Sequence, residues 1–126
     1  MEQILSFARR EGYRVEFLPL GAFAGLLMPG RLILIDSQIP EWRQREAVAH
    51  ELGHAWHGHD RGIAHEDPDL ERQADLYAAR LLISPTEYAL AEAICEHPGA
   101  IAKELMVSAE LVTLWQEWLH RQRIPA

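Results

Sequence analysis

His50-Glu51-Leu52-Gly53-His54 places two imidazoles four residues apart in a stretch that reads as helix. Residues at that spacing lie one above the other on a single helical face. His50 and His54 can therefore point at one metal ion. Glu51, next to the first of them, is placed to take a proton from a water that the metal activates. This H-E-x-x-H spacing is the one that zinc peptidases use, and amide hydrolysis is the chemistry it suits.

A hydrolytic zinc site uses three protein ligands and leaves a fourth position open. Glu71-Arg-Gln-Ala-Asp75 supplies the best third ligand in the chain. Glu71 and Asp75 are four apart and face the same way. Glu71 would coordinate, while Asp75 would accept a hydrogen bond from the outer nitrogen of a ligand histidine, His50 first. Such a bond fixes the tautomer and the ring orientation. Sixteen residues separate His54 from Glu71, enough for a loop and a returning helix. His57, His59 and His65 are rivals. His57 is the sharpest, since it follows His54 by three on the same face, but only Glu71 comes with a carboxylate that supports the site. His59 and His65 read as loop residues, and His97 and His120 as surface. Tyr88, His97 and Arg80 stay open as donors to a developing oxyanion. Tyr77 falls off the Glu71 face and is expected in the core.

These residues need elements to hold them. Residues 2–11 read as a short amphipathic helix closed by Gly12. Tyr13 to Leu20 is strand-like, Ala22 to Met28 is a second apolar run, and Arg31 to Asp36 a third. Pro29-Gly30 between the last two predicts a hairpin. Pro40 suits the first turn of a long helix to about Gly58. Val48, Leu52, Ala55 and Trp56 form its apolar stripe, with the histidines on nearly the opposite side. Gly53 costs about 1 kcal/mol relative to alanine within a helix, which close approach of another backbone or of a substrate would justify, as would simple close packing. Gly58 to Asp67 is a polar loop. Asp67-Pro68 starts a helix to Ile83, and Ser84-Pro85 ends it. A further helix runs from Pro85 to about His97, and Pro98-Gly99 reads as a break. Two last helices follow at 100–107 and 109–122, with Ser108 as N-cap. Cys95 reads as a small core residue, and Trp115 and Trp118 as core or contact surface. The fold class is α+β: a small three-stranded sheet packed on helices.

The bulk properties agree. The chain has 126 residues, 48% hydrophobic and 25% charged, which suggests a single domain over 1–126. Its net charge of −7 argues against a nucleic-acid partner, which needs a concentrated basic surface. One cysteine fits a reducing compartment. The N-terminus lacks the order of a secretion signal, and no run approaches the roughly 18 apolar residues of a membrane span. A cytoplasmic protein is expected.

His50–His54, Glu71–Asp75 and the following Leu81-Leu82-Ile83-Ser84-Pro85 together resemble the ImmA/IrrE metallopeptidase family. The pattern there is approximately HELGH, a short loop, then E-x-x-A-(D/N)-x-(F/Y)-A-x-x-L-L-(M/I)-P. Ser84, inserted before Pro85, is a small departure. Upstream, Arg31–Asp36 leading into the motif helix is similar. Downstream, Ile101–Val112 resembles the family's helix-turn-helix-like tail. The likeness covers roughly residues 12–120. It implies a minimal zincin-like domain of gluzincin type, with one Zn2+ per chain on His50, His54 and Glu71, Glu51 as catalytic base, and Asp75 behind the ligands. It also implies a protein substrate, a repressor or other regulator in the setting of phages and mobile elements. The tail at 98–123 is expected to be integral to the fold. Residues 98–126 carry Lys103, Arg121 and Arg123 against Glu104, Glu110 and Glu117, a net of zero, so no direct DNA contact is expected of it. The competing expectation is a catalytically weak metal-binding regulator that acts by protein contact.

Overall fold

The computed structural model describes residues 1–59 and 67–123. His65 and most of the polar loop expected before Asp67 lie outside the described residues. The element order is α1 (Glu2–Arg10), β1 (Arg14–Leu18), β2 (Gly25–Met28), β3 (Leu32–Asp36), α2 (Glu41–Trp56), α3 (Pro68–Leu82), α4 (Pro85–Ile94), α5 (Pro98–Leu105) and α6 (Ala109–Arg123). This is the α+β arrangement that the alternation of short apolar runs and longer periodic segments implies.

β2 and β3 form the expected hairpin, with Gly25 opposite Ile35 and Leu27 opposite Ile33. These four positions share one face of the sheet, because side chains alternate along a strand. All four are buried, and this face packs against α2. The strand order is β1-β3-β2. β1 pairs parallel to β3, from Arg14 opposite Leu32 to Leu18 opposite Asp36. β2 is therefore an edge strand. It begins at Gly25 rather than at Ala22. Asp36, buried at the end of β3, accepts Leu20 N–H and Gln38 N–H on Oδ1, and its backbone oxygen accepts from Gln44 Nε2 at 3.1 Å. The sheet is thereby tied to the first turns of α2.

α2 buries Ala47, Val48, Ala49 and Leu52. Trp56 does not complete the apolar stripe: it is 71% exposed, because the helix ends there and runs past its neighbours. α3 starts as expected, with Pro68 in the first turn and the Asp67 side chain accepting Asp69 N–H at 2.9 Å and Leu70 N–H at 3.4 Å. Pro98-Gly99 is not a break. Pro98 opens α5, where a missing N–H costs nothing, and His97 caps it by accepting Gly99 N–H. α4 stops at Ile94, so Cys95 sits half-buried after the helix, against the core. Ser108 caps α6 by accepting Leu111 N–H at 3.4 Å. Trp115 is buried and Trp118 partly so.

Candidate metal centre

The site is built where α2 crosses α3. Gly53 makes that crossing close: a Cβ there would lie 2.8 Å from Ala74 O and 2.9 Å from Ala74 Cα. Of the alternatives open at Gly53, the close neighbour is another backbone. It brings the first turn of α3, and with it Glu71, over the two histidines. A carboxylate in that first turn is also favoured by the positive end of the helix dipole.

Three donor atoms converge. His50 Nε2 lies 3.0 Å from His54 Nε2. Glu71 Oε1 lies 3.3 Å from the former and 2.7 Å from the latter. Tetrahedral ligands about 2.0–2.1 Å from zinc stand about 3.3 Å from one another. The donors need to spread by only a few tenths of an ångström, so two imidazoles and a carboxylate fit a divalent metal. His50, Glu51 and His54 also offer ligand atoms all within 4.8 Å. Glu51 stands further off, however, with Oε2 4.0 Å from His50 Nε2, whereas both oxygens of Glu71 are within 3.3 Å. The geometry favours Glu71 as the third ligand and leaves Glu51 beside the set, almost wholly buried.

The supporting contacts are of two kinds. His50 Nδ1 donates to Asp75 Oδ1 at 2.7 Å, the contact anticipated from the Glu71/Asp75 spacing. On the other histidine, His54 Nδ1 lies 2.8 Å from His59 Nδ1, and His59 Nε2 lies 2.9 Å from Gln73 Oε1. His59 is therefore not a bystander of the loop. After α2 the chain closes with His59 N–H on His54 O and Gly58 N–H on Ala55 O, Gly58 adopting φ +68. This is the left-handed helix ending that glycine favours, and it folds His59 back under His54. Five residues from His54 and past the end of the helix, His59 gave no periodic signal. His57, the sharpest rival ligand, is exposed at the helix end and stacks on His59 with ring centroids 5.3 Å apart.

The charges within this cluster act on one another. Burial works against a charged His50, but its hydrogen bonds to Asp75 and Glu71 and the nearby Glu51 charge outweigh that and push its pKa up to about 10. Burial and the charge of His50 lower that of His54. Burial would raise the Glu71 carboxyl, yet the bonds and charges of His50 and His54 bring it down to about 2. One proton thus resides on His50, between two carboxylates.

A cleft of about 560 Å³ opens in front of the site, its walls including Ala24 and Gly25 at the sheet edge, Trp42, Arg43, Glu46, His50, Glu51, Asp75 and Ser108. Glu46 is raised by burial, partly offset by Ser108, whose N–H and O–H both donate to it. None of the three oxyanion candidates lines this cleft. Tyr88 is buried against Trp115 and bonded to Glu92 and Gln116. Arg80 lies over the Trp118 ring, and His97 caps α5. Helical position alone could not separate the two sides of the molecule for these residues. Arg43, which was not singled out from the sequence, is a cationic donor on the cleft wall. Tyr77 packs against the core as expected, half-buried, with its ring 6.1 Å from that of Trp56.

A search of the curated proteins finds no match to the chain. Residues 8–114 match the IrrE N-terminal-like domain of the peptidase M78 family. That match takes in the sheet, the histidine pair, Glu71 and the helices that cover them, and the chain belongs to this metallopeptidase family.

Proposed function

We propose that this chain is a zinc-dependent endopeptidase of narrow specificity, acting in the cytoplasm on a repressor or another regulatory protein. The observation that carries the reading is the convergence of His50 Nε2, His54 Nε2 and Glu71 Oε1 within 3.3 Å, with Glu51 standing beside them. In this reading the three hold one zinc ion per chain, a metal that imidazole and carboxylate donors suit. Bound there, zinc supplies Lewis acidity that makes a water easier to deprotonate and a carbonyl easier to attack.

The chain's own residues do the rest. Asp75 holds the His50 ring, and His59 with Gln73 holds that of His54. Glu51, screened from solvent, accepts the proton of the attacking water and returns it to the leaving amine. The substrate lies extended along the cleft, where the outer edge of β2, starting at Gly25, offers backbone groups for pairing. Arg43 is placed to meet negative charge that builds on the substrate oxygen. Contact with DNA is no part of this reading, given the zero net charge of residues 98–126.

The test is Glu51→Gln. Loss of a positioned general base costs about 10²–10⁴ in rate, so cleavage of the partner is expected to vanish while one zinc per folded chain remains. Cleavage that survives in this variant sinks the reading. A variant that no longer cuts but keeps the full regulatory effect would assign the chain instead as a metal-binding regulator acting by contact.

A further inference from the structure

A second hollow, of about 570 Å³, lies between α5 and the start of α6. Its floor and walls include Trp42, Gly99, Ala102, Met106 and Val107. It is continuous with the cleft in front of the metal centre, since Trp42, Ser108 and Glu110 border both. We propose that this hollow is the specificity pocket of the enzyme. It takes one large apolar side chain of a basic stretch of the polypeptide substrate, a few residues from the bond to be cut. The proposal rests on reading the cleft as a peptidase site.

Three observations point to this occupant. The first is continuity: a chain laid along the cleft past His50 and Glu51 reaches the hollow by crossing Trp42, which is carried by the same helix as the metal site. The second is Met106. It ends α5 at φ 58 and ψ 45, a left-handed conformation that glycine adopts freely and a long side chain does not. It is nonetheless methionine, and it is 61% exposed. Neither the backbone nor the core gains from that side chain. A flexible thioether on the wall of an apolar hollow suits an adaptable contact surface, and strained residues gather at binding sites. The third is charge. Glu46, Asp75 and Glu110 line the cleft beside Arg43, Lys103 is the one cation among the described residues that line the hollow, and the chain carries a net charge of −7. A basic segment is drawn to this surface.

The full-length Glu51→Gln chain, loaded with zinc, is applied to an array of short synthetic peptides of randomised sequence. Peptides that share a Leu, Met or Phe at a fixed distance from a Lys or Arg are expected to bind. Two changes are then made in the same background. Met106→Gly removes the side chain and relieves the left-handed backbone, so this variant should unfold no earlier than its parent. Gly99→Phe fills the hollow; a Cβ at Gly99 meets only His97 Nδ1, at 3.6 Å, so the fold has room for it. Each is expected to weaken binding of the selected peptides about tenfold, the effect of losing a well-buried anchor. Absence of peptide binding, binding without an apolar preference, or unchanged binding by both variants overturns the proposal. The parent reading is decided separately, with the unsubstituted chain. Selected peptides that bind but are never cut leave the pocket standing and remove the peptidase. Cutting with no apolar preference does the reverse.

Discussion

At the scale of single residues, His50 sets the protonation of the proposed metal centre. Its pKa of about 10 without metal means that a proton occupies the coordinating position at neutral pH and must leave when an ion enters. Apparent zinc affinity should therefore rise about tenfold per pH unit from neutral pH towards 10. Zinc titrations across that range, against a competing chelator of known pH dependence, check this; a flat profile contradicts it. The same ion cluster shapes the stability of the metal-free chain. The raised His50 stabilises fully below about 6.5, and that share is lost as pH climbs through about 10. The lowered Glu71 stabilises above 4.5, and its share is lost as pH falls through about 2. Thermal melts of chelated protein should show a maximum between these limits, and His50→Gln should flatten the alkaline slope. His59 acts one step behind the ligands. His59→Ala should leave the fold intact and weaken zinc binding about 10–100-fold, the usual effect of losing a partner that orients a ligand histidine. An unchanged affinity would make the His54–His59 contact incidental.

At the scale of elements, the contact of α2 with α3 determines whether there is a third ligand at all. Gly53 is the residue that permits it, since backbone, not a movable side chain, sits 2.8 Å from where a Cβ would be. Gly53→Ala gains helix propensity, worth about 1 kcal/mol, but forces the helices apart at a cost of about 1–3 kcal/mol. The displacement carries Glu71 away from His54. We expect a modest loss of stability by chemical denaturation together with a disproportionate loss of bound zinc. A variant that gains stability and keeps its metal would show that the helices can slide without opening the site.

At the scale of the whole molecule, the tail is bolted to α2, the helix that carries the histidine pair. Glu46, one turn before His50, accepts both the N–H and the O–H of Ser108, and Ser108 in turn caps α6. Arg72 of α3 meets Glu117 of α6 at 2.9 Å on the surface, where such pairs add little. Ser108→Ala removes the cap and one bond to a charged acceptor, and should cost about 1–3 kcal/mol in chemical denaturation. A change near zero would mean that packing of Leu111, Val112 and Trp115 alone holds α6. Among the described residues no helix is long and apolar enough to cross a membrane.

Much of this was legible in the chain, and for local reasons. The i, i+4 spacings of His50/His54 and Glu71/Asp75 follow from helix geometry, so they named the convergent groups before any fold was known. Asp67-Pro68 and Ser108 mark helix starts, and Ser84-Pro85 the end of α3, through chemistry that involves only neighbouring residues. The Pro29-Gly30 hairpin is equally local. What tertiary structure alone decided concerns groups distant in sequence or beyond a periodic element. The parallel pairing of β1 with β3 depends on a return of the chain that no local pattern encodes. His59 reaches His54 only because α2 ends in a left-handed turn. Tyr88, Arg80 and His97 fall away from the cleft and Arg43 falls into it, because helix position sets which way a residue points on its own helix, while packing sets what lies in front of it. Trp56 looked apolar in sequence and is exposed for the same reason: a periodic stripe is buried only as far as a neighbour extends to cover it.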